Sequence, residues 1–292
     1  MNDFSIKDLE NLSGIKAHTI RIWEQRYHFL KPKRSDTNIR FYSSNELKTI
    51  LNIALLNKYG YKISHIDKMT KEELKEKALS LSPIQAQQER VINEMIQFTV
   101  DMQMDEIESL LDAYIMSKGI EKTIIQIIFP FLERIGILWH TNHINPAQEH
   151  LITNIIRQKL IVGIESANSK SSIKKSILLF LPEGEYHELG LLFIHYLLKS
   201  RGIKVIYIGA NVPLDDVLFV TKTMKPDHLY THLTSVANSF HFDKFLAQLH
   251  QQLNKIPVII SGHLTLQYKK KIPVNIHFKK SLAEVTEYIS SL

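Results

Sequence analysis

The residues with the clearest potential for chemistry are Glu185, His187 and Gly190, which form the pattern E-x-H-x-x-G. They follow closely on the apolar run Ile177–Leu181, which predicts a β-strand. Open α/β sheets bind their ligands at the carboxyl ends of strands, and a histidine imidazole held there can bind a metal. Gly190 opens the next helix without a Cβ atom, so a flat ligand can approach its backbone closely. The pattern predicts a ligand site after this strand.

Composition limits the kinds of site that the 292-residue chain can hold. Cysteine is absent, which excludes disulfides, thiolate zinc sites, iron–sulfur clusters and a cysteine nucleophile. The 14 histidines remain as the side chains suited to softer metals. No apolar run approaches the roughly 20 residues of a membrane span, and the N-terminus lacks the layout of a signal peptide. We expect a cytoplasmic protein of two or three domains.

Strand-like and helix-like runs alternate from residue 175 to 292, and they predict the element that holds the histidine. The predicted strands are Ile177–Leu181, Val205–Ile208, His228–Leu233, Val258–Ile260 and Ile276–Phe278, and the helices are Leu189–Ser200, Leu214–Met224, Phe240–Leu253 and Leu282–Leu292. Alternation at this spacing predicts a doubly wound parallel sheet of flavodoxin-like (Rossmann-like) order.

Helical apolar spacing dominates residues 84–170, and it predicts a bundle of about four helices. We expect Gly119 and Pro130 to interrupt the helical pattern and Pro146 to lie near a helix start. Trp139 is separated by nine residues from the pair Glu149–His150. Taken separately, the tryptophan is typical of a core residue and the pair of an exposed helix start.

The sequence of residues 1–80 predicts several short helices and one extended segment. Ser5 has an acidic residue three positions later, which predicts a helix start, and Ser13-Gly14 ends that helix. Lys16–Tyr27 predicts a second helix, which completes a helix-turn-helix layout. The polar-then-aromatic run Lys33–Tyr42 predicts a hairpin or wing. Capping boxes at Ser43 and Thr70 predict two further helix starts.

Most of the formal net charge of +6 lies in residues 16–40, which contain seven basic residues and two acidic ones. Such a stretch in a small helical domain indicates a polyanion partner, although a solvated face has the same composition. The residues expected to meet base edges in a DNA major groove are Lys16, His18, Thr19 and Arg21. Those expected to meet phosphates are Arg26, Lys31, Lys33, Arg34, Arg40 and Tyr42. Trp23, Ile39 and Phe41 are predicted to form a small core beneath the wing.

Residues 6–69 resemble the winged helix-turn-helix of MerR-type transcription regulators. The matching runs are Thr19–Tyr27, Leu30–Arg34, Arg40–Ser43 and Gly60–Ile66. The resemblance implies binding to near-palindromic double-stranded DNA as at least a dimer. Metal sensing of the usual MerR kind is not expected, because it generally uses cysteine thiolates.

The E-x-H-x-x-G pattern is similar to the D-x-H-x-x-G signature of cobalamin-binding domains. The spacing of Trp139 and Glu149–His150 resembles the signature of the helical domain that precedes the cobalamin domain in CarH/LitR-type regulators. Together these resemblances imply a multidomain protein: an all-α winged helix-turn-helix head at 1–80, a helical bundle capping a corrin at 84–170, and a cobalamin-binding α/β domain at 175–292.

The resemblance implies a role for each residue of the cofactor site. His187 would be the lower axial ligand of cobalt, with Glu185 accepting a hydrogen bond from its other ring nitrogen. Trp139, Glu149 and His150 would cover the upper face, and His140 would bind cobalt from above after the adenosyl group is lost. The residues expected to line the pocket, mostly around the nucleotide tail, are Gly190, Thr231, Leu233, Ser235, Ser261 and Gly262. Within this set, Thr231 replaces a serine and Ser261 replaces a glycine of the family pattern.

The function implied by the resemblance is that of a light-responsive repressor that binds adenosylcobalamin and occupies DNA as a dimer or tetramer in the dark. Two alternatives remain open. One is a light-independent MerR-like regulator whose cobalamin domain is degenerate or differently liganded. The other is a corrinoid methyl-carrier subunit, for which a MerR-like head is unexpected.

Overall fold

The computed structural model of the chain describes residues 4–140, 144–169, 173–235, 240–253 and 255–292. The chain forms two compact units, residues 1–156 and residues 157–292. In the described ranges, the first unit is helical apart from a small hairpin, and the second is built around a five-stranded sheet. None of the helices in these ranges combines the length and apolar character that a membrane span requires.

The helix-turn-helix segment begins with a capped helix and a tight glycine turn. Its elements are α1 (Ile6–Ser13), α2 (Ala17–Arg26), β1 (Lys33–Arg34), β2 (Arg40–Phe41), α3 (Ser44–Lys58), α4 (Ile63–Ile66) and α5 (Lys71–Leu79). Ser5, Ser43 and Thr70 each form the expected capping box. Gly14 has a φ of +73°, in the left-handed region that glycine adopts without strain, and this conformation ends α1.

The antiparallel hairpin of β1 and β2 is the predicted wing, and part of the predicted core lies beneath it. Trp23 is buried, as expected, and Phe41 is half-buried. The prediction for Ile39 is wrong, because this side chain is 56% exposed. Ile39 follows Asn38, whose φ of +64° forms the hairpin turn, and the turn carries the isoleucine into solvent.

Four long helical stretches form the rest of the first unit and continue into the second. They are α6 (Ile84–Val100), α7 (Met104–Lys118), the run of α8 (Ile120–Thr123), a π-helical segment (Ile124–Ile128) and α9 (Phe129–His140), and α10 (Pro146–Ser166). Helix α6 packs against α3, α7 and α9. Gly119 ends α7 and Pro146 begins α10, as the sequence predicts.

Pro130 does not interrupt its helix, so that prediction is wrong. Proline lacks an N–H donor and its ring clashes with the carbonyl of residue i−4 in a regular α-helix. Here the π-helical segment ends just before it, where the N–H of Phe129 donates to the carbonyl of Ile124, five residues back. The wider turn shifts the hydrogen-bond register next to the proline, and the helix continues to residue 140.

The sheet has the flavodoxin-like order that the alternating pattern predicts. Its strands are β3 (Ile173–Pro182), β4 (Ile203–Val212), β5 (His228–His232), β6 (Val258–Ser261) and β7 (Ile276–Lys279), all paired in parallel in the order β4-β3-β5-β6-β7. The connecting helices are α11 (Leu189–Ser200), α12 (Leu214–Met224), α13 (Phe242–Gln252), the unpredicted short α14 (His263–Gln267), and α15 (Leu282–Ser290).

Strand β3 lies at the point where the strand order reverses, with β4 on one side and β5 on the other. Residues 177–182 of β3 are buried, which explains why its sequence is an unbroken apolar run rather than an alternating one. In sheets of this kind, ligands bind at the carboxyl ends of the strands beside this reversal. The fold therefore presents the loop after β3 as its ligand-binding position.

Candidate functional site

The loop that follows β3 is fixed to the end of β4. Gly184 has a φ of +85°, and its N–H donates to the side-chain oxygen of Asn211 at 2.9 Å. The N–H of Asn211 in turn donates to the carbonyl of Glu185 at 3.1 Å. Asn211 has its own positive φ of +58°, a conformation that asparagine tolerates better than most residues. These bonds hold Glu185 at the inner side of the loop.

Glu185 is a fully buried carboxylate with four hydrogen-bond donors around it. One oxygen accepts from the backbone N–H of His187 at 2.9 Å and from its Nδ1 at 2.6 Å. The other accepts from the backbone N–H groups of Thr234 and Ser235 at 2.8 and 2.9 Å. Burial alone raises its pKa, but the hydrogen bonds from His187 and Ser235 outweigh burial and hold the pKa of Glu185 below its ordinary value.

His187 stands on the exposed side of this carboxylate, with about half of its side chain open to solvent. Its bond to an ionised Glu185 places the proton on Nδ1, so the lone pair of the neutral ring is on Nε2. No group of three or more metal-binding side chains occurs within the described residues. The pair of Glu185 and His187 offers one oriented imidazole, and this chemistry fits a corrinoid that needs a single protein ligand.

Glu188 fixes the other end of the motif, a role that was not predicted from the sequence. The hydroxyl of Tyr207 donates to one of its carboxylate oxygens at 2.6 Å, and Arg157 on α10 pairs with the other at 2.9 Å. Burial is the main cause that raises the pKa of Tyr207, and the hydrogen bond to Glu188 raises it further. His195 stacks on the Tyr207 ring, and burial lowers the pKa of His195 to about 4. The position of Glu188 inside the motif was the signal available in the sequence.

A second polar cluster lies where β5 and β6 end, and it joins Tyr230, His232 and Ser261. The Ser261 hydroxyl is 2.6 Å from the Tyr230 hydroxyl and 2.8 Å from Nδ1 of His232. Tyr230 and Ser261 are buried. Burial lowers the pKa of His232 to about 4, so this imidazole is neutral near pH 7. Ser261 thus has a hydrogen-bonded role within the chain that its family position did not reveal.

The predicted tail-lining residues are placed differently from one another. Ser235 lies at the site through its N–H bond to Glu185. Leu233 and Gly262 pack backbone against backbone, since a Cβ on Gly262 would clash with the carbonyl of Leu233. Thr231 is buried, and within the described residues its hydroxyl has no hydrogen-bond partner.

Gly190 does not face open space. A Cβ atom at this position would lie 2.5 Å from Cδ2 and 2.7 Å from Nε2 of His232. The close approach that Gly190 permits is thus taken by a side chain of the same chain. With His232 in this position, a ligand can lie against the backbone of Gly190 only after the imidazole ring has moved.

The residues predicted to cap a corrin belong to the helical unit. Trp139 at the end of α9 is 47% exposed, so it is not the core residue that its type alone suggests. Glu149 lies in the first turn of α10, with its carboxylate 3.2 Å from Nδ1 of the exposed His150. The side chain of His140 lies outside the described part of the chain.

Helix α2 presents the residues predicted to meet DNA bases. Lys16, His18 and Arg21 are exposed, and Thr19 is half-buried. Of the residues predicted to meet phosphates, Arg26, Lys31, Lys33 and Arg34 are exposed, and the first three form no ion pairs within the described ranges. This group provides a cationic surface around α2 and β1.

Glu24 holds the wing against α2. Its carboxylate pairs with Nε of Arg40 at 2.7 Å and with Arg34 at 3.1 Å, and Arg34 also donates to Asn38 at 2.8 Å. Arg34 and Arg40, predicted to bind phosphates, are therefore paired with a carboxylate of the same domain, although Arg34 remains exposed. The prediction for Tyr42 is wrong, because this residue is fully buried. Its hydroxyl lies 3.5 Å from Glu24, and burial raises its pKa to about 12.

Three family models match successive parts of the chain. The model of the MerR HTH family regulatory protein matches residues 4–73. Two different models described as B12 binding domains match residues 91–162 and 175–278. The three matches follow the order of the helix-turn-helix segment, the helical bundle and the sheet.

Two relatives are similar over nearly the whole chain, both from Myxococcus xanthus. The HTH-type transcriptional repressor CarA is 26% identical over 91% of this chain and 89% of its own, and the HTH-type transcriptional repressor CarH is 24% identical over 89% and 88%. The solved structure of the Methanosarcina barkeri monomethylamine corrinoid protein has a TM-score of 0.51 at 11% identity, and the match covers 70% of this chain and 99% of that one. The structural likeness shows the fold alone.

Proposed function

We propose that this chain is a transcriptional repressor whose DNA binding is controlled by adenosylcobalamin and light. The proposal is supported by the matches to a MerR-type helix-turn-helix and to two B12-binding segments, and by the similarity to the CarH and CarA repressors. The observation that carries the proposal is the pair of Glu185 and His187 at the carboxyl end of β3. A single imidazole with its proton fixed on Nδ1 is the donor that an axial position requires.

The residues that would hold the cofactor divide into a lower and an upper set. Below, Glu185 keeps Nε2 of His187 unprotonated and raises its basicity. Above, the exposed Trp139 and the pair Glu149–His150 would cover the corrin, and His140 would supply a second imidazole after photolysis. When bound, adenosylcobalamin supplies a cobalt–carbon bond that visible light breaks.

The DNA-binding end of the proposal rests on α2 and the wing. Arg21, with Lys16, His18 and Thr19, would enter a major groove, while Arg26, Lys31 and Lys33 would meet phosphates. We assign the head to residues 1–80, the cap to 84–170 and the cobalamin domain to 175–292. In the dark the protein would oligomerise as a dimer or tetramer and occupy its operator, and light would release it.

The experiment uses the full chain with adenosylcobalamin and a DNA fragment selected by the protein from a random-sequence library. We expect a retained corrin spectrum after desalting, a larger oligomer in the dark, and loss of DNA binding on illumination. His187→Ala should abolish the light effect, whereas His277→Ala, an exposed histidine on β7, should not. Retention of no corrin would refute the cobalamin role, and equal DNA binding in dark and light would refute the photoreceptor role.

A light-independent regulator is the second candidate, and the position of His232 favours it. With His232 against Gly190, the site differs from one that receives a cobalamin tail freely. In that case hydroxocobalamin and adenosylcobalamin would change DNA binding equally, and illumination would change neither complex.

A further inference from the structure

His232 fills the space that the missing side chain of Gly190 leaves beside α11. The ring atoms Cδ2 and Nε2 lie 2.5 and 2.7 Å from where a Cβ of residue 190 would stand. An imidazole therefore lies where the H-x-x-G spacing leaves room for a ligand. Any group laid against Gly190 must first displace this ring.

A hydrogen bond to Ser261 holds the His232 ring in this position. Its Nδ1 is 2.8 Å from the Ser261 hydroxyl, which is also hydrogen-bonded to the buried Tyr230. Because the imidazole is neutral, it carries no ionic hydration that would draw it outward. Displacing His232 breaks one hydrogen bond and exposes the Ser261 hydroxyl unless the incoming group replaces that bond.

We propose that His232 closes the nucleotide-tail space and makes the site select corrinoids by their tails. The inference rests on the proposed cobalamin function and specifies the ligand class of the same site. A corrinoid without a nucleotide, such as cobinamide, meets His187 without moving His232. A complete cobalamin binds only after His232 leaves the space beside Gly190.

The closure also bears on His187. A tail that stayed outside would leave its benzimidazole base able to compete with His187 as a ligand. Cobinamide has no such base. Displacement of His232 would therefore admit the tail and leave His187 without a competing base.

The test measures equilibrium binding of hydroxocobalamin and of aquacobinamide to the full chain by difference absorption. Two substitutions distinguish the effect of the volume of the His232 side chain from the effect of its hydrogen bond to Ser261. His232→Asn shortens the side chain while keeping a hydrogen-bonding group for Ser261, and His232→Phe keeps the ring volume without that bond. His277→Asn on β7 is the control.

We expect the native chain to bind cobinamide at least 10-fold more tightly than hydroxocobalamin. His232→Asn should strengthen hydroxocobalamin binding at least 10-fold, His232→Phe should bind it no more tightly than the native chain does, and cobinamide binding should change little in either. The inference is overturned if the native chain binds both corrinoids equally, or if Asn and Phe have the same effect. In those cases the proposed cobalamin function stands, whereas binding of neither corrinoid by any variant removes the function together with the inference.

Discussion

Glu185 is the residue on which the geometry of the candidate site depends. It accepts two hydrogen bonds from its own loop and two from the loop after β5. A buried carboxylate is costly unless its oxygens are paired, and here the four donors compensate for the loss of water. The bonds from His187 also orient its imidazole. One side chain therefore joins the loops after β3 and β5 and sets the tautomer of the imidazole.

Glu185→Gln should weaken corrinoid binding by about 10–100-fold, the usual effect of losing a carboxylate that orients a metal-bound histidine. The amide also presents N–H donors to backbone N–H groups, so the thermal unfolding midpoint should fall. Absorption titration with cobinamide and calorimetry measure the two effects. Glu183→Gln, in the same loop but exposed, is the matched control. Unchanged binding in Glu185→Gln would show that the imidazole needs no orienting carboxylate.

His232 gives the protein a pH-dependent stability with a defined direction. Its folded pKa of about 4 lies below the ordinary value of 6.5, because burial disfavours the charged ring. Between these pH values the unfolded chain takes up a proton and the folded chain does not, so the free energy of unfolding falls as pH falls from 6.5 to 4. The contribution from this group is on the order of 3 kcal/mol.

His232→Asn should therefore lose less stability than the native chain between pH 6.5 and 4. Thermal unfolding followed by circular dichroism across this range is the measurement, with His277→Asn as the control. The half-buried His195 has a similarly lowered pKa, so part of the native pH dependence should remain in the variant. A slope in His232→Asn equal to that of the native chain would contradict the assignment.

Arg21→Ala should weaken specific DNA binding by about 1–3 kcal/mol and relax the sequence preference, if Arg21 contacts a base. Lys33→Ala on the wing is a matched comparison, because loss of a phosphate contact weakens binding to all sequences alike. Selection from a random-sequence library followed by competition binding separates the two effects. An operator preference that survives Arg21→Ala would remove Arg21 from base readout.

At the scale of elements, the wing is positioned by one acidic side chain on α2. Glu24 pairs with both Arg34 and Arg40, which lie on the two strands of the hairpin. A two-stranded hairpin of this size is not stable by itself in water. The two ion pairs of Glu24 therefore help to hold the hairpin against the helix that precedes it.

Glu24→Gln should lower the stability of the helix-turn-helix segment by about 1–2 kcal/mol, because the amide has no negative charge and keeps only one oxygen acceptor for the two arginines. Amide hydrogen exchange in residues 33–41 should become faster than in the native chain, while α3 exchanges as before. Gln25→Ala alters the exposed neighbour of Glu24 and should leave the wing unchanged. Unaltered exchange in the wing would show that packing alone fixes it.

The sequence predicted elements well where their cause is local. Two helices of the sheet unit begin and end at the predicted residues, and the contact of Glu185 with His187 spans two positions. It did not predict the contact of His232 with Gly190, because that contact depends on how β5 and α11 are placed in the folded chain. The ion pairs of Glu24 with Arg34 and Arg40 were missed because they too join residues that are distant in sequence. Pro130 was misinterpreted because the π-helical segment that accommodates it has no clear sequence signal.

At the scale of the whole molecule, the cationic surface and the candidate ligand site lie in different units. A ligand can change DNA binding only by its different affinity for two states of the protein. Oligomerisation is the state change that the proposed function invokes, because it alters how many heads meet the same DNA. The number of heads bound is measurable through salt dependence, since each phosphate contact releases counterions.

The logarithm of the DNA-binding constant should fall with the logarithm of salt concentration by about 0.9 for each phosphate contact. We expect a steeper slope for the adenosylcobalamin complex in the dark than after illumination, because a larger oligomer brings more copies of Arg26, Lys31 and Lys33 to the DNA. His187→Ala should give one slope under both conditions, and Lys33→Ala should lower both. Equal slopes in dark and light, combined with different affinities, would mean that light changes the fit of each head rather than the number of heads bound.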